Sequence, residues 1–145
     1  MKYGLSVCAI TKKYDLILMK QSKYGNDLEF PAGVFDTSNE SEIKFMAKSL
    51  VENTGYKTDQ VKVYKPSYFM PIYALAEFSA VAVGCEFICQ KLDDPERGIK
   101  VVEMPQEEFF RLILDGTIIS ASTKITAFMA LAHADISLKH LISFP

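Results

Sequence analysis

Residues 28–56 read LEFPAGVFDTSNESEIKFMAKSLVENTGY, and the reading of this stretch decides the fold. Leu28–Phe30 is a short strand, stopped at Pro31, which cannot donate to a sheet ladder. Gly33–Glu40 is a run of turn formers and reads as a loop. Ser41–Asn53 then carries the helical period, with Ile43, Met46, Ala47, Leu50 and Thr54 on one side. Ser38, Asn39 or Ser41 can cap its start, and Gly55 stands where a left-handed residue would end it. By periodicity alone this is an ordinary capped amphipathic helix on a mixed sheet.

Working outward, Leu5–Ile10 and Leu16–Lys20 read as strands joined by a turn over Thr11–Asp15. Val61–Tyr64 is a strand, Pro66–Pro71 is irregular, and Tyr73–Gln90 holds one or two strands with Gly84 as a bend. Asp93–Gly98 is a charged turn and Ile99–Glu103 a strand. Pro105 suits the first turn of a helix whose positive end is met by Glu107 and Glu108, with Gly116 closing it. Ser120 or Ser122 caps a last helix reaching about His140. Strands, helix, strands, helices in that order predict a mixed α+β class, an α/β/α sandwich.

The chain of 145 residues has the size of one domain, taken as residues 1–145. About half of it, 49%, is apolar, enough for a sizeable core. The net charge of −2 comes without a basic stripe, so a nucleic-acid duplex is not expected as partner, while a nucleotide-sized ligand is compatible. No run approaches the roughly 18 apolar residues that span a bilayer, and the opening MKYGLSVCAITKKYD lacks the pattern of a signal peptide. A cytoplasmic protein is expected. The three cysteines, Cys8, Cys85 and Cys89, read as buried thiols, Cys85 and Cys89 sharing a strand face.

The stretch from Leu28 to Tyr56 resembles the Nudix box. That family's pattern is Gly, five residues, Glu, seven residues, Arg-Glu, an aliphatic, any residue, Glu-Glu, any residue, Gly and an aliphatic. Anchored on Gly55, Glu40 falls on the loop Glu, Lys48 on the Arg, Leu50 on the aliphatic and Glu52 on the first Glu of the pair. Gly33 then lies one residue too far from Glu40, as if the loop carried an insertion. Ser49 stands where the family has the Glu after Arg, and Asn53 where it has the second Glu of the pair.

Positions 49, 52 and 53 are spaced by three and four and share a helix face. Three carboxylates there would hold Mg²⁺ or Mn²⁺ against a diphosphate, and the metal would activate water and offset charge on phosphate oxygens. At positions 48, 49, 52 and 53 the family pattern carries a net charge of −2; here Lys48 and Glu52 cancel. Each lost metal-assisted effect is worth several kcal/mol, and about 1.4 kcal/mol is tenfold in rate. Metal binding is therefore expected to be weak and hydrolysis slow.

The stretch LILMKQSKYGNDLEFPAG is similar to the ADP-ribose pyrophosphatase-like branch, with Gln21, Lys23, Glu29, Pro31, Ala32 and Gly33 at matching places. The C-terminal DGTIISASTKITAFMALAH also resembles that branch. The resemblance implies metal ligation by the Ala32 carbonyl, Glu52 and Glu40, and a Glu29 beside the diphosphate. Lys20 and Lys23 could meet phosphates. It also implies a general base on a late loop, where Asp93, Asp94 and Glu96 lie and Glu96 is favoured, although D-D-P-E-R is equally a plain turn. Tyr24, Phe35, Tyr68 and Tyr73 could stack a base or fill the core. Glu77 and Glu86 could face the ligand or solvent, and His133 and His140 read as surface or packing residues.

Three functions follow. The first is a Nudix-fold protein that binds a nucleoside-diphosphate derivative such as ADP-ribose, with hydrolysis weak or lost. The second is an active Mg²⁺- or Mn²⁺-dependent pyrophosphohydrolase using Glu52 and carboxylates from elsewhere in the fold. The third is an interaction module with a closed cleft. The resembled branch also implies a homodimer, although the chain is expected to lack the extra N-terminal strands through which many of that branch's members pair.

Overall fold

A computed structural model describes residues 2–21, 27–36, 41–70, 75–89 and 99–133. In chain order these form β1 (Lys2–Thr11), β2 (Leu16–Gln21), β3 (Asp27–Glu29), β4 (Ala32–Asp36), α1 (Glu42–Thr54), β5 (Tyr56–Lys57), β6 (Gln60–Val63), β7 (Ser67–Met70), β8 (Leu75–Phe87), β9 (Ile99–Met104), α2 (Gln106–Leu114) and α3 (Ala121–His133). The strands make one mixed sheet, as the α+β reading expects.

Strand alternation sets the layers. On β1, Leu5, Val7 and Ala9 point to one face and Cys8 and Ile10 to the other, and all five are buried. Burial on both faces marks β1 as a central strand. It runs parallel to β8, with Ser6 opposite Ser79 and Ala9 opposite Ala82. On its other side it pairs antiparallel with β2 near its end and with β4 near its start. β2 also carries β9 along its length and β3 at its tip.

Met46 and Leu50 of α1 cover the Leu5–Val7–Ala9 face. Phe109 of α2 and Ala127 and Ala130 of α3 cover the Cys8–Ile10 face. The result is the expected α/β/α sandwich. Phe30 and Phe109 stack with centroids 5.0 Å apart, tying the β3–β4 connection to α2. Each such buried ring contributes about 1.5–3 kcal/mol of transfer free energy.

Several local expectations need correction. The loop expected over Gly33–Glu40 gives way at residues 33–36 to β4, because β1 offers a partner with Ala32 opposite Ser6 and Gly33 opposite Leu5, while residues 37–40 lie outside the described residues. Residues 67–70 were read as irregular but form β7 on the edge of β8, where flanking prolines limit a strand without forbidding it. Cys89 lies past the end of β8, so Cys85 and Cys89 do not share a strand face. All three cysteines are free. On α1, Ile43 is 52% exposed, whereas Ser49 is buried. The last helix is described to His133, and its predicted continuation to His140 lies outside the described residues.

Gly84 does mark a bend. Between Ala9–Ala82 and Thr11–Cys85 the register slips by one residue, and Gly84 takes a φ of 65°. An extra residue in one strand with a left-handed glycine is a bulge, which twists the strand locally.

Candidate functional site

α1 is fixed at both ends by its own sequence. The Ser41 hydroxyl accepts the Lys44 N–H at 3.3 Å. Gly55 at φ 79° donates its N–H to the Val51 carbonyl. Thr54 adds a second clamp: its hydroxyl donates to the Leu50 carbonyl at 2.5 Å and accepts the Tyr56 N–H at 3.2 Å. These are the local signals a helix terminus needs, satisfied by side chains where the ladder ends.

The helix packs mainly on β4, β5 and β6. The same sheet face continues across β1 to β2, β9 and β3. Register shows what lines that strip. Met19 stands opposite both Glu29 and Val101, and Ile17 stands opposite Glu103. Residues two apart on a strand share a face, so Ile17, Met19, Gln21, Glu29, Val101 and Glu103 all look to the α1 side. Ile17 and Val101 belong to the apolar cluster under α1. The strip is thus an apolar floor with a carboxylate toward each end.

Glu29 is half-buried and accepts a hydrogen bond from Gln21 Nε2 at 2.6 Å. Burial pushes its carboxyl above the usual carboxylate range, the nearby Asp27 charge adds to this, and the Gln21 bond offsets part of it. At the other end the Tyr56 hydroxyl donates to Glu103 Oε1. Burial and then that bond push the Tyr56 hydroxyl well above the usual phenol range.

Position 49 looks toward the backbone of the Pro-Ala-Gly segment. A Cβ on Gly33 would stand 3.7 Å from Ser49 Oγ and 3.2 Å from Phe45 Cζ. A side chain at position 49 is therefore placed against β4, whose path is held by β1: Val7 N–H donates to the Pro31 carbonyl at 3.0 Å. Lys48 and Glu52 are exposed and Asn53 is half-buried. Glu40, Lys23 and Glu96 lie outside the described residues, as do Asp93, Asp94, Tyr24, Tyr73 and His140 and the side chains of Phe35 and His133.

The expected site residues are only partly gathered. Glu29 shares the α1 face with Met19 and Val101. Lys20 is exposed and, by alternation with Leu18, faces the other way, opposite Leu28. Glu77 turns to the α3 side, where it accepts the Ser122 hydroxyl at 2.5 Å. Glu86 is exposed and pairs with Lys12. Tyr68 is 55% exposed. Sequence reasoning passed over Tyr56 and Glu103, although the alternation of Val101 and Glu103 on β9 was there to be read.

Among the described residues no three His, Cys, Asp or Glu gather as a metal site would require. The described face of α1 offers the Glu52 carboxylate, the buried Ser49 hydroxyl and the Asn53 amide. Mg²⁺ asks for near-octahedral oxygen ligands, usually with more than one carboxylate or with substrate phosphates. The described donors alone do not fit that demand.

No protein-family profile and no curated protein sequence matches the chain. Solved structures do. One described as an ADP compounds hydrolase superposes with a TM-score of 0.74 at 20% identity, over 92% of this chain and 75% of that one. The chain has the Nudix fold. A MutT structure, from work on the psychrophilic fish pathogen Aliivibrio salmonicida and the mesophile Vibrio cholerae, superposes at 0.60 with 13% identity, over 76% of this chain and 84% of that one. At such identities the Nudix likeness speaks for backbone architecture, while site chemistry rests on this chain's own residues. No helix among the described residues is long and apolar enough to cross a membrane.

Proposed function

We propose that this Nudix-fold chain binds a nucleoside-diphosphate derivative of the ADP-ribose kind in the strip beside α1, and hydrolyses it weakly or not at all. The observation that carries this reading is position 49. It faces the Ala32–Gly33 backbone, where the resemblance expects a metal to be held, and it supplies a buried hydroxyl instead of a carboxylate. With Asn53 also neutral, the helix face has lost the charge that a dication would need. The strip has the composition of a small-molecule site, apolar with a few placed polar groups.

A second reading is supported by Glu29. Its half-buried carboxylate on the same face is a candidate to supply acid–base or ligand chemistry from outside the helix. Under that reading the chain is an active Mg²⁺- or Mn²⁺-dependent pyrophosphohydrolase using Glu52 with Glu29, Glu40 or Glu96.

Titration calorimetry with ADP-ribose, paired with assays of its diphosphate hydrolysis in Mn²⁺, separates the two. Binding with turnover at least about a hundredfold below that of Ser49→Glu/Asn53→Glu, in which two carboxylates return, supports the first reading. Efficient turnover by the unmodified protein, abolished by Glu52→Gln or chelator, supports the second. Absence of binding to ADP-ribose and to other nucleoside-diphosphate derivatives rejects both.

A further inference from the structure

We infer that Glu103, aimed by Tyr56, is a specificity-determining residue of the cleft, accepting hydrogen bonds from hydroxyl or amino donors of the bound nucleotide derivative. This rests on the ligand-binding reading above and extends it to a residue outside the resembled motif.

The placement comes from three elements. Tyr56 directly follows the Gly55 cap, so the end of α1 fixes where its ring begins. The ring is buried in the core beneath α1 and packs edge-on against Phe87 at 5.5 Å. Its hydroxyl emerges from that core to meet Glu103 Oε1. Glu103 stands on β9 opposite Ile17, on the face that also carries Val101, Met19 and Glu29. Strands are spaced by about 4.8 Å and rise about 3.3 Å per residue, so Glu103 and Glu29, two strands across and two residues along, stand roughly 12 Å apart. That separation suits a nucleoside lying across the Met19–Val101 floor.

A carboxylate is acceptor-only when ionised and offers about four lone-pair sites. Tyr56 occupies one. Glu103 remains exposed, on the face of β9 that it shares with Val101. A tyrosine that donates to one oxygen fixes the carboxylate rotamer without neutralising it, which is the arrangement that prepares an acceptor for a ligand donor. The ribose hydroxyls and the adenine amino group are the donors that an ADP-ribose-like ligand carries.

The test measures affinity by calorimetry for ADP-ribose and for three analogues that each lack one donor set: ADP, 2′-deoxy-ADP-ribose and IDP-ribose. For the unmodified protein, one analogue is expected to bind about tenfold more weakly than ADP-ribose, the worth of one hydrogen bond to a charged group. Glu103→Gln should weaken ADP-ribose by a similar factor and bring that analogue to within about twofold of it. Tyr56→Phe, which keeps the buried ring, should give a smaller loss of the same discrimination. Glu103→Gln is made at an exposed side chain, and unchanged thermal unfolding will show that fold is not the cause. If the unmodified protein binds ADP-ribose and Glu103→Gln leaves all four affinities within about twofold, the inference fails while the binding reading stands. If the unmodified protein binds none of the four, both fail.

Discussion

Gly33 shows how one residue can set the distance between a helix and a strand. Its backbone is not left-handed, so its importance is steric: a methyl there would come within 3.2 Å of the Phe45 ring rim, tighter than most carbon contacts, so that the neighbour must give by a few tenths of an ångström. Gly33→Ala should therefore push α1 away from β4 by a few tenths of an ångström and cost about 1 kcal/mol. Denaturant unfolding will show the loss as a lower midpoint with an unchanged slope. Because Ser49 lies against the same position, the substitution also disturbs the face of α1 on which the proposed weak hydrolysis depends. Ser6 is a contrasting case. Its hydroxyl is buried on the α3 side of β1, opposite Ser79, without a partner among the described residues. A buried polar group left unmade carries its desolvation cost, so Ser6→Ala is expected to leave stability unchanged or raise it slightly in the same measurement.

At the scale of the element, the C-terminus of α1 depends on Thr54. The residue is 1% exposed, and its hydroxyl serves the Leu50 carbonyl and the Tyr56 N–H together. Thr54→Val keeps the shape and removes both bonds, leaving buried backbone groups without those partners. The expected loss is about 1–3 kcal/mol, while Thr54→Ser, which keeps the hydroxyl, should lose less. Thermal unfolding of the pair checks this. The consequence reaches beyond α1, since Tyr56 takes its bearing from Thr54 and Gly55 and in turn reaches Glu103 on β9.

For the whole molecule, the tie between α3 and the sheet is partly polar. Ser122 donates to Glu77, Ser79 and Thr126 share a hydroxyl bond at 2.9 Å, and Thr123 accepts the Phe30 N–H at 3.1 Å. Burial pushes the Glu77 carboxyl above the usual carboxylate range, and the Ser122 bond offsets only part of that. The folded chain therefore holds this proton to higher pH than the unfolded chain does. Glu77 favours the fold while protonated, and that contribution is lost as pH rises from the unfolded value through the raised folded one. Glu77→Gln should accordingly raise the melting temperature at about pH 7, and the gain should shrink toward about pH 4, where the unfolded carboxyl also protonates. Melting curves across that range test it; a gain independent of pH would contradict the assignment.

Much of this was legible in the sequence because it depends on neighbours along the chain. The α1 cap at Ser41, the left-handed Gly55, the bend at Gly84 and the alternation on β1 are each set by residues within a few positions, and the motif spacing from Pro31 to Gly55 carried the architecture with it. The neutral side chains of Ser49 and Asn53 are likewise plain sequence facts. What required the tertiary structure was partnership at long range. Residues 32–36 and 67–70 are strands only because β1 and β8 stand beside them, which local turn propensity cannot foresee. Ser49 is buried and Ile43 exposed because β4 passes under one side of α1 and not the other. Glu77 belongs to the α3 side, and Glu103 meets Tyr56 across 47 positions of chain, through sheet register and helix placement that no local pattern encodes.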